Sequence, residues 1–332
     1  MLIRDDFIFD EALIPALLKQ RGLVLTGADG EPVAAHLSDP AQAAGVAAAL
    51  ASGNGASLPA ELRRVDSAGL ASTYNKSLRR RSPPYLMRVD SMPAIAIERR
   101  MFNGAYKGVT DFVTKRVWPL PAFHVTRFCA RFGITPNMVT AVSLVCVLLA
   151  MLLFWQGQFA LGLVFAWGMC FLDTVDGKLA RVTLRSTPFG NVFDHGIDLI
   201  HPPFWYWAWY HGLQRSDLGF TDSLLDVSLA VVIVGYVVGR LQEGLFTWLH
   251  GIEIHIWRPL DSWFREITAR RNPNLFILTV AVILGEPRQG FVAIAFWTLF
   301  SLAFHFLRIF QASLAKAMGR PPVSWLSEPL KS

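Results

Sequence analysis

The sequence predicts an all-α integral membrane protein: six transmembrane helices with an N-terminal interfacial helix, preceded by a small soluble α/β cytosolic domain. Three observations carry this reading. The 332 residues are 53% hydrophobic and 17% charged, with mean hydropathy +0.37, which is too apolar for a pair of soluble domains and excludes disorder. Met138 to Trp155 is eighteen residues without a charge, about 27 Å of helix against a hydrocarbon core of about 30 Å. Residues 1 to 115, by contrast, hold only short apolar stretches, turn signals such as Gly27-Ala28-Asp29-Gly30, an Ala/Gly/Ser-rich piece over 41–57 and the basic run Arg79-Arg80-Arg81.

Taken in order, residues 1–90 are expected to form the small cytosolic domain, and 91–135 a linker with a juxtamembrane helix. Residues 136–315 form the six-helix domain and 316–332 a cytosolic tail. Arg4, Asp5, Asp6, Asp10 and Glu11 leave no apolar core for a signal peptide. Between Val117 and Phe132, apolar Val117, Phe123, Val125 and Phe128 alternate with His124, Arg127 and Arg131, the pattern of an interfacial amphipathic helix. After the first span, apolar runs follow at Phe159 to Lys178, Phe189 to Tyr210, Ser223 to His250, Asn274 to Gly285 and Phe291 to Leu314. The fifth of the six is twelve residues, about 18 Å, and needs extension or a thinned bilayer.

Lys and Arg concentrate before the first span, between the second and third (Lys178, Arg181, Arg185) and between the fourth and fifth (Arg258, Arg265, Arg270, Arg271). That asymmetry predicts a multi-pass protein of the plasma (inner) membrane with both termini and the active site facing the cytosol. The 31 Lys+Arg exceed 25 Asp+Glu by only 6, spread along the chain, so the expected partner is the lipid bilayer and no nucleic acid. Cys129, Cys146 and Cys170 lack metal-ligand spacing and are expected as buried free thiols.

Chemistry enters where acids meet the membrane. A carboxylate at the bilayer centre costs on the order of 2.5–3.5 kcal/mol on insertion scales, so four in adjacent spans demand a purpose. Asp173 and Asp176 are i, i+3 at the end of span two; Asp194 and Asp198 are i, i+4 at the start of span three. Each pair shares a helix face, and a short turn lets the two faces converge. Repulsion among them calls for cations, and an all-oxygen donor set selects Mg²⁺ or Mn²⁺, with enough carboxylates for two ions. Gly177 and Gly190 remove side chains where a phosphate would approach, although small residues also serve close helix packing. Ala180 keeps the approach open and Arg181 offers a fixed cation for phosphate oxygens.

Written out, the segment is Asp173-x2-Asp176-Gly177-x2-Ala180-Arg181-x8-Gly190-x3-Asp194-x3-Asp198, eight fixed residues over twenty-six positions. It resembles the signature of the CDP-alcohol phosphotransferase (CDP-alcohol phosphatidyltransferase) family. The likeness extends from Arg99 to the sixth span and takes in Thr135-Pro136-Asn137-x2-Thr140 at the start of span one. It is closest to the membrane domain of di-myo-inositol-phosphate-phosphate synthases, through Glu98-Arg99-Arg100, Thr110-Asp111-Phe112-Val113 and Ile134-Thr135-Pro136-Asn137.

The resemblance implies a six-helix, usually homodimeric, metal-dependent enzyme in phospholipid or inositol-phosphodiester synthesis. An acceptor hydroxyl attacks a CDP-linked alcohol, of CDP-diacylglycerol or CDP-inositol type, and CMP leaves. It implies Asp173, Asp176, Asp194 and Asp198 as metal ligands, with Asp198 also the catalytic base. Gly177, Ala180, Arg181 and Gly190, with Asp173, would form the CDP site. Residues 1–90 resemble a truncated cytidylyltransferase fragment through Asp5-Asp6-Phe7-Ile8-Phe9-Asp10 and Gly30-Glu31-Pro32-Val33, without the glycine-rich nucleotide loop. The acceptor is expected to be polar, inositol phosphate or glycerol phosphate, met by Arg258, Arg265, Arg270 and Arg271 at the mouth, with Arg240 as a further candidate. Arg240 can also pair with Glu243 at i, i+3.

The alternative is a divalent-cation transporter using the same aspartates. It needs a polar route onward to the far side, whereas the far ends of spans two and three are apolar and aromatic. A catalytically silent scaffold would have no use for four costly carboxylates.

Overall fold

A computed structural model of the chain describes residues 1–216 and 223–327. They divide into two compact units, one over Met1–Lys107 and one from Gly108 onward.

The first unit is α/β. Its elements are β1 (Leu2–Ile3), β2 (Phe7–Phe9), α1 (Leu13–Leu18), β3 (Leu23–Thr26), β4 (Pro32–His36), α2 (Ala43–Ser52), β5 (Arg63–Val65), α3 (Ser67–Leu70), β6 (Tyr74–Asn75), β7 (Arg80–Arg81), β8 (Leu86–Arg88) and α4 (Ala94–Gly104). The four-stranded sheet runs β1-β4-β3-β5, with only β3 and β5 parallel; β2 pairs with β8, and β6 with β7. The β3–β4 hairpin turns on the Gly27–Gly30 signal. Gly27 N–H donates to Glu31 O at 2.8 Å, and Gly30 takes φ +75, which a residue without Cβ adopts without strain. Strand alternation then splits the core: Leu23 and Leu25 pack with Leu13 and Leu17 on one face, and Val24 with Val46 and Leu50 on the other.

The second unit is helical. A π-helical turn (Val113–Val117) leads into α5 (Pro119–Arg131), then α6 (Pro136–Trp155), α7 (Phe159–Val182), α8 (Pro188–Ser216), α9 (Ser223–His250), α10 (Pro259–Ile267), α11 (Arg271–Ile283) and α12 (Pro287–Ala317). Thr135 caps α6, its Oγ1 accepting from Met138 N–H, with Pro136 at the first turn. Trp209, Phe154 and Phe291 fill the core of the bundle. Helices approach through small residues: a Cβ at Gly212 would lie 2.0 Å from Phe154 O, and one at Gly235 would lie 2.4 Å from Thr298 Cγ2.

Among the described residues, α6, α7, α9 and α12 are long and apolar enough to cross a membrane. The expected third run is helical as α8, but Pro202, Pro203, His201, His211 and three tryptophans make its middle less apolar than the other four. The expected fifth run is α11, thirteen residues and about 20 Å. The segment expected as an amphipathic helix is α5, which buries Ala122, Phe123, Thr126 and Cys129 on one face. The three cysteines are free, Cys129 and Cys170 buried and Cys146 half-buried. The last five residues of the expected tail, 328–332, lie outside the described residues.

A buried polar junction fixes the start of α11. Asp111 Oδ1 accepts from Asn272 Nδ2 at 2.9 Å and from Thr114 N–H at 3.0 Å. Burial pushes the Asp111 carboxyl up, but the charge of Arg265 and these hydrogen bonds outweigh it and hold the group below its ordinary value. A carboxyl depressed in the fold contributes stability above its unfolded pKa of about 4, and that contribution is lost as pH falls through the folded value. Asp111→Asn is therefore expected to lower the melting temperature at pH 7 and to leave it less sensitive to acid below pH 4 than the parent's. Melting curves in detergent at pH 7 and pH 3 check this; parallel losses in both proteins would refute it.

Candidate functional site

The turn from α7 into α8 builds the site. Thr183–Thr187 joins the helices, with Leu184 in the left-handed region at φ +53 and the Thr187 hydroxyl accepting from Gly190 N–H at 3.0 Å. This tight reversal brings the C-terminal part of α7, with Asp173 and Asp176, beside the first turns of α8. Asp173, Asp176 and Asp194 come together, one ligand oxygen from each lying within 4.8 Å of the others.

The carboxylates differ in surroundings. Asp176 is 3% exposed. Its Oδ2 accepts from Thr140 Oγ1 at 2.6 Å, while its Oδ1 is buried with no hydrogen-bond partner. A carboxylate with one orphaned oxygen, grouped with two further carboxylates, is the donor chemistry of a hard divalent cation, so the residues present fit one. Asp173 Oδ2 accepts from Arg271 Nη2 at 2.5 Å, and the same guanidinium reaches Asp198 Oδ1 through Nη1. Asp198 lies outside the close trio and is the most open: its side chain is 39% exposed, against 30% for Asp194 and 19% for Asp173.

The glycines of the signature divide between the two roles the sequence allowed them. At Gly190 a Cβ would lie 2.6 Å from Asn137 Oδ1, so this glycine lets the start of α8 seat against the start of α6. At Gly177 the atoms nearest a Cβ would be those of the Arg181 guanidinium, the first at 3.3 Å, so the cation folds over bare backbone next to Asp176. Ala180, half-buried, follows on the same helix.

Of the arginines proposed for an acceptor, Arg240, Arg265 and Arg270 lie about one cluster, where all three charges act on His305, and Arg258 stands apart. Arg240 and Arg270 both pair with Glu243, which also lies 3.3 Å from His255 Nε2. The cavity beside them, closed by His305 and Ser301, is about 20 Å³, room for about one water. Arg258 lies over the Trp257 ring at 4.3 Å, and Arg265 is buried on α10. Sequence reasoning offered Arg271 to the acceptor and did not place it beside the aspartates, and it saw Thr140 only as part of the first helix's opening. The spacing of Thr140 one turn beyond Pro136 was the available signal; its hydroxyl also lies 3.1 Å from Pro136 O.

The family model described as CDP-alcohol phosphatidyltransferase matches residues 133–318. The archaetidylinositol phosphate synthase of Pyrococcus horikoshii is 39% identical over 204 residues, 60% of this chain and 94% of that protein. The human ethanolaminephosphotransferase 1 is 35% identical over 72 residues, 22% of this chain and 18% of that protein; the mouse protein of that name matches to the same extent. With more than half of its length matched, including every residue of the aspartate hairpin, the chain belongs to the CDP-alcohol phosphatidyltransferase family and is a transferase.

Proposed function

We propose that the protein transfers a substituted phosphate from a CDP-linked alcohol to an acceptor hydroxyl and releases CMP. The observation that carries this is the meeting of Asp173, Asp176 and Asp194 within 4.8 Å, with Asp198 one turn on and more open. Mg²⁺ or Mn²⁺, two ions in our reading, bound by these carboxylates would neutralise phosphate oxygens. Around them the chain's own groups have separable tasks. Asp176 is held by Thr140, Arg181 over Gly177 meets the pyrophosphate, and Asp198 takes the proton of the incoming hydroxyl. The new phosphoester bond forms as the bond from phosphorus to the CMP oxygen breaks.

The acceptor in this reading is a polar hydroxyl compound, inositol phosphate or glycerol phosphate, supported by the name of the Pyrococcus relative. If Arg240 and Arg270 receive it, its anion displaces Glu243. We further read α8 and α11 as completing six spans, α5 as interfacial, both termini and the site as cytosolic, and the protein as a homodimer in the inner membrane. The first unit is read as an accessory domain derived from a cytidylyltransferase fragment.

CMP release by purified protein in detergent tests the reaction, with CDP-diacylglycerol or CDP-inositol offered against inositol phosphate, inositol, glycerol phosphate and serine. Acceptor-dependent release that needs Mg²⁺ or Mn²⁺ and falls at least about 100-fold in Asp198→Asn is the expected result. Release equal in that variant would remove Asp198 as the base.

A further inference from the structure

Charge is unevenly divided within the first unit. Residues 1–75 hold five Lys and Arg and nine Asp and Glu, a balance of −4, whereas residues 76–107 hold eight and two, a balance of +6, as large as that of the whole chain. The basic part is also where apolar side chains stand out. β8 ends at Arg88, a single 3₁₀ turn (Val89–Ser91) follows, and α4 begins at Ala94. Every residue from Arg88 to Ile95 is exposed, with Val89, Met92 and Ile95 between 38% and 43%. The helix turns Ile97 and Phe102 inward, so Ile95 and Arg99, one turn apart, share its outward side, and Arg100 is exposed next to them. Guanidiniums gather at the other end of α4. Arg80 Nη1 donates to Asn103 O, and Arg100 lies over the Tyr85 ring at 5.9 Å. Burial, and next the charge of Arg100, hold the Arg80 guanidinium below its ordinary value.

We propose that this face of the first unit docks on the surface of an anionic lipid leaflet, with Val89, Met92 and Ile95 entering the headgroup layer and Arg88, Arg99 and Arg100 meeting lipid phosphates. The combination selects the occupant. Cations alone suit any polyanion and apolar side chains alone suit any protein, but an apolar tip flanked by arginine is the composition of a surface that lies in a membrane interface. Chain continuity keeps a bilayer at hand: this unit ends at Lys107, and Gly108 opens the unit whose helices are long and apolar enough to cross one. A second copy of the face is the poorer occupant, since it sets like charge against like charge. Asp90 and Glu98 are the only carboxylates of residues 76–107. Arg88 stands 3.6 Å from Asp6, which Arg4 already holds at 2.6 Å, so its cation is the less committed of the two.

The test is backbone hydrogen exchange of the full chain in lipid nanodiscs, of phosphatidylcholine alone or with about 30% phosphatidylglycerol. The amides of residues 88–97 are read against those of α2, which lies in the acidic part of the same unit. Residues 88–97 should exchange at least about tenfold more slowly in the anionic discs, with α2 alike in both, and about 0.5 M NaCl should remove most of the difference. Each arginine near an anionic leaflet is worth about fivefold, so the triple variant Arg88→Gln, Arg99→Gln, Arg100→Gln should weaken docking about 100-fold and abolish the protection. Met92→Ser with Ile95→Ser should abolish it as well. The comparison of lipids needs no substitution, and an unchanged α2 shows that each variant is folded. Equal exchange in the two lipids, or slowing of α2 together with residues 88–97, overturns the proposal. Protection in phosphatidylcholine that survives salt overturns it in favour of a protein neighbour. Protection reproduced there by about 10 mM inorganic phosphate overturns it in favour of a free-anion site. No CMP release is read, so each outcome is independent of the transferase reading.

Discussion

Asp194→Asn is expected to lower CMP release by about a thousandfold or more, and Asp176→Asn to do the same, while the double variant falls little further. Groups that act as a unit lose nearly everything with the first deletion, so single and double losses coincide instead of multiplying. The three oxygens within 4.8 Å form such a unit, since each of Asp173, Asp176 and Asp194 supplies one. A structural role predicts the opposite stability signature. Three carboxylates at this distance repel one another, so neutralising one should raise the melting temperature of chelator-treated protein. The rise on adding Mn²⁺ should then shrink or vanish. Active-site residues commonly carry this opposition of stability and activity. Losses that multiply across the two sites, or an unchanged Mn²⁺-induced rise, would show that the trio does not act as one centre.

What the sequence revealed and concealed follows the range of each interaction. The aspartate hairpin was legible because its residues lie within twenty-six positions of one another and because carboxylates in apolar helices are too costly to be incidental. Arg240 with Glu243 was legible for the same reason, at i, i+3, and the pair is present at 3.4 Å. Arg271 was not. Its partners Asp198 and Asp173 lie 73 and 98 residues away in sequence, and helical periodicity says nothing of which loop residue folds onto which distant helix. Arg270, its neighbour, turns instead to Glu243, so two adjacent arginines that look equivalent in sequence serve different clusters. Asp111 to Asn272, 161 positions apart, anchors the first turn of α11, which begins at Arg271. The apolar runs located α8 and α11 well, but run length alone gave them the standing of spans. The tryptophans, histidines and prolines of α8, and the thirteen residues of α11, show how far a helix can be found without its place in a bilayer being fixed.

Arg271→Gln is expected to bind Mn²⁺ more tightly than the parent and to turn over more slowly. The guanidinium bridges Asp173 and Asp198, two of the carboxylates proposed for metal, and so competes with an incoming cation for the same negative charge. Deleting a positive charge about 6 Å from a divalent ion removes several kcal/mol of repulsion at an effective dielectric of about 20, so apparent Mn²⁺ affinity should rise about tenfold or more. Without metal the sign reverses. Asp173 and Asp198 lose their counter-charge, and because Asp198 is partly open the cost falls between the ~0–1 kcal/mol of an exposed pair and the ~3–5 kcal/mol of a buried one. That corresponds to a fall of about 4–8 °C in the melting temperature of chelator-treated protein. Turnover should drop about 100-fold even at saturating metal, because Asp198, the proposed base, loses the guanidinium that fixes its carboxylate. The variant would then be tighter for metal, weaker as a fold without it, and slower. Mn²⁺ titration by electron paramagnetic resonance, melting with and without chelator, and CMP release measure the three separately. Weaker metal binding in the variant would mean that Arg271 organises the aspartates for the ion instead of holding its place.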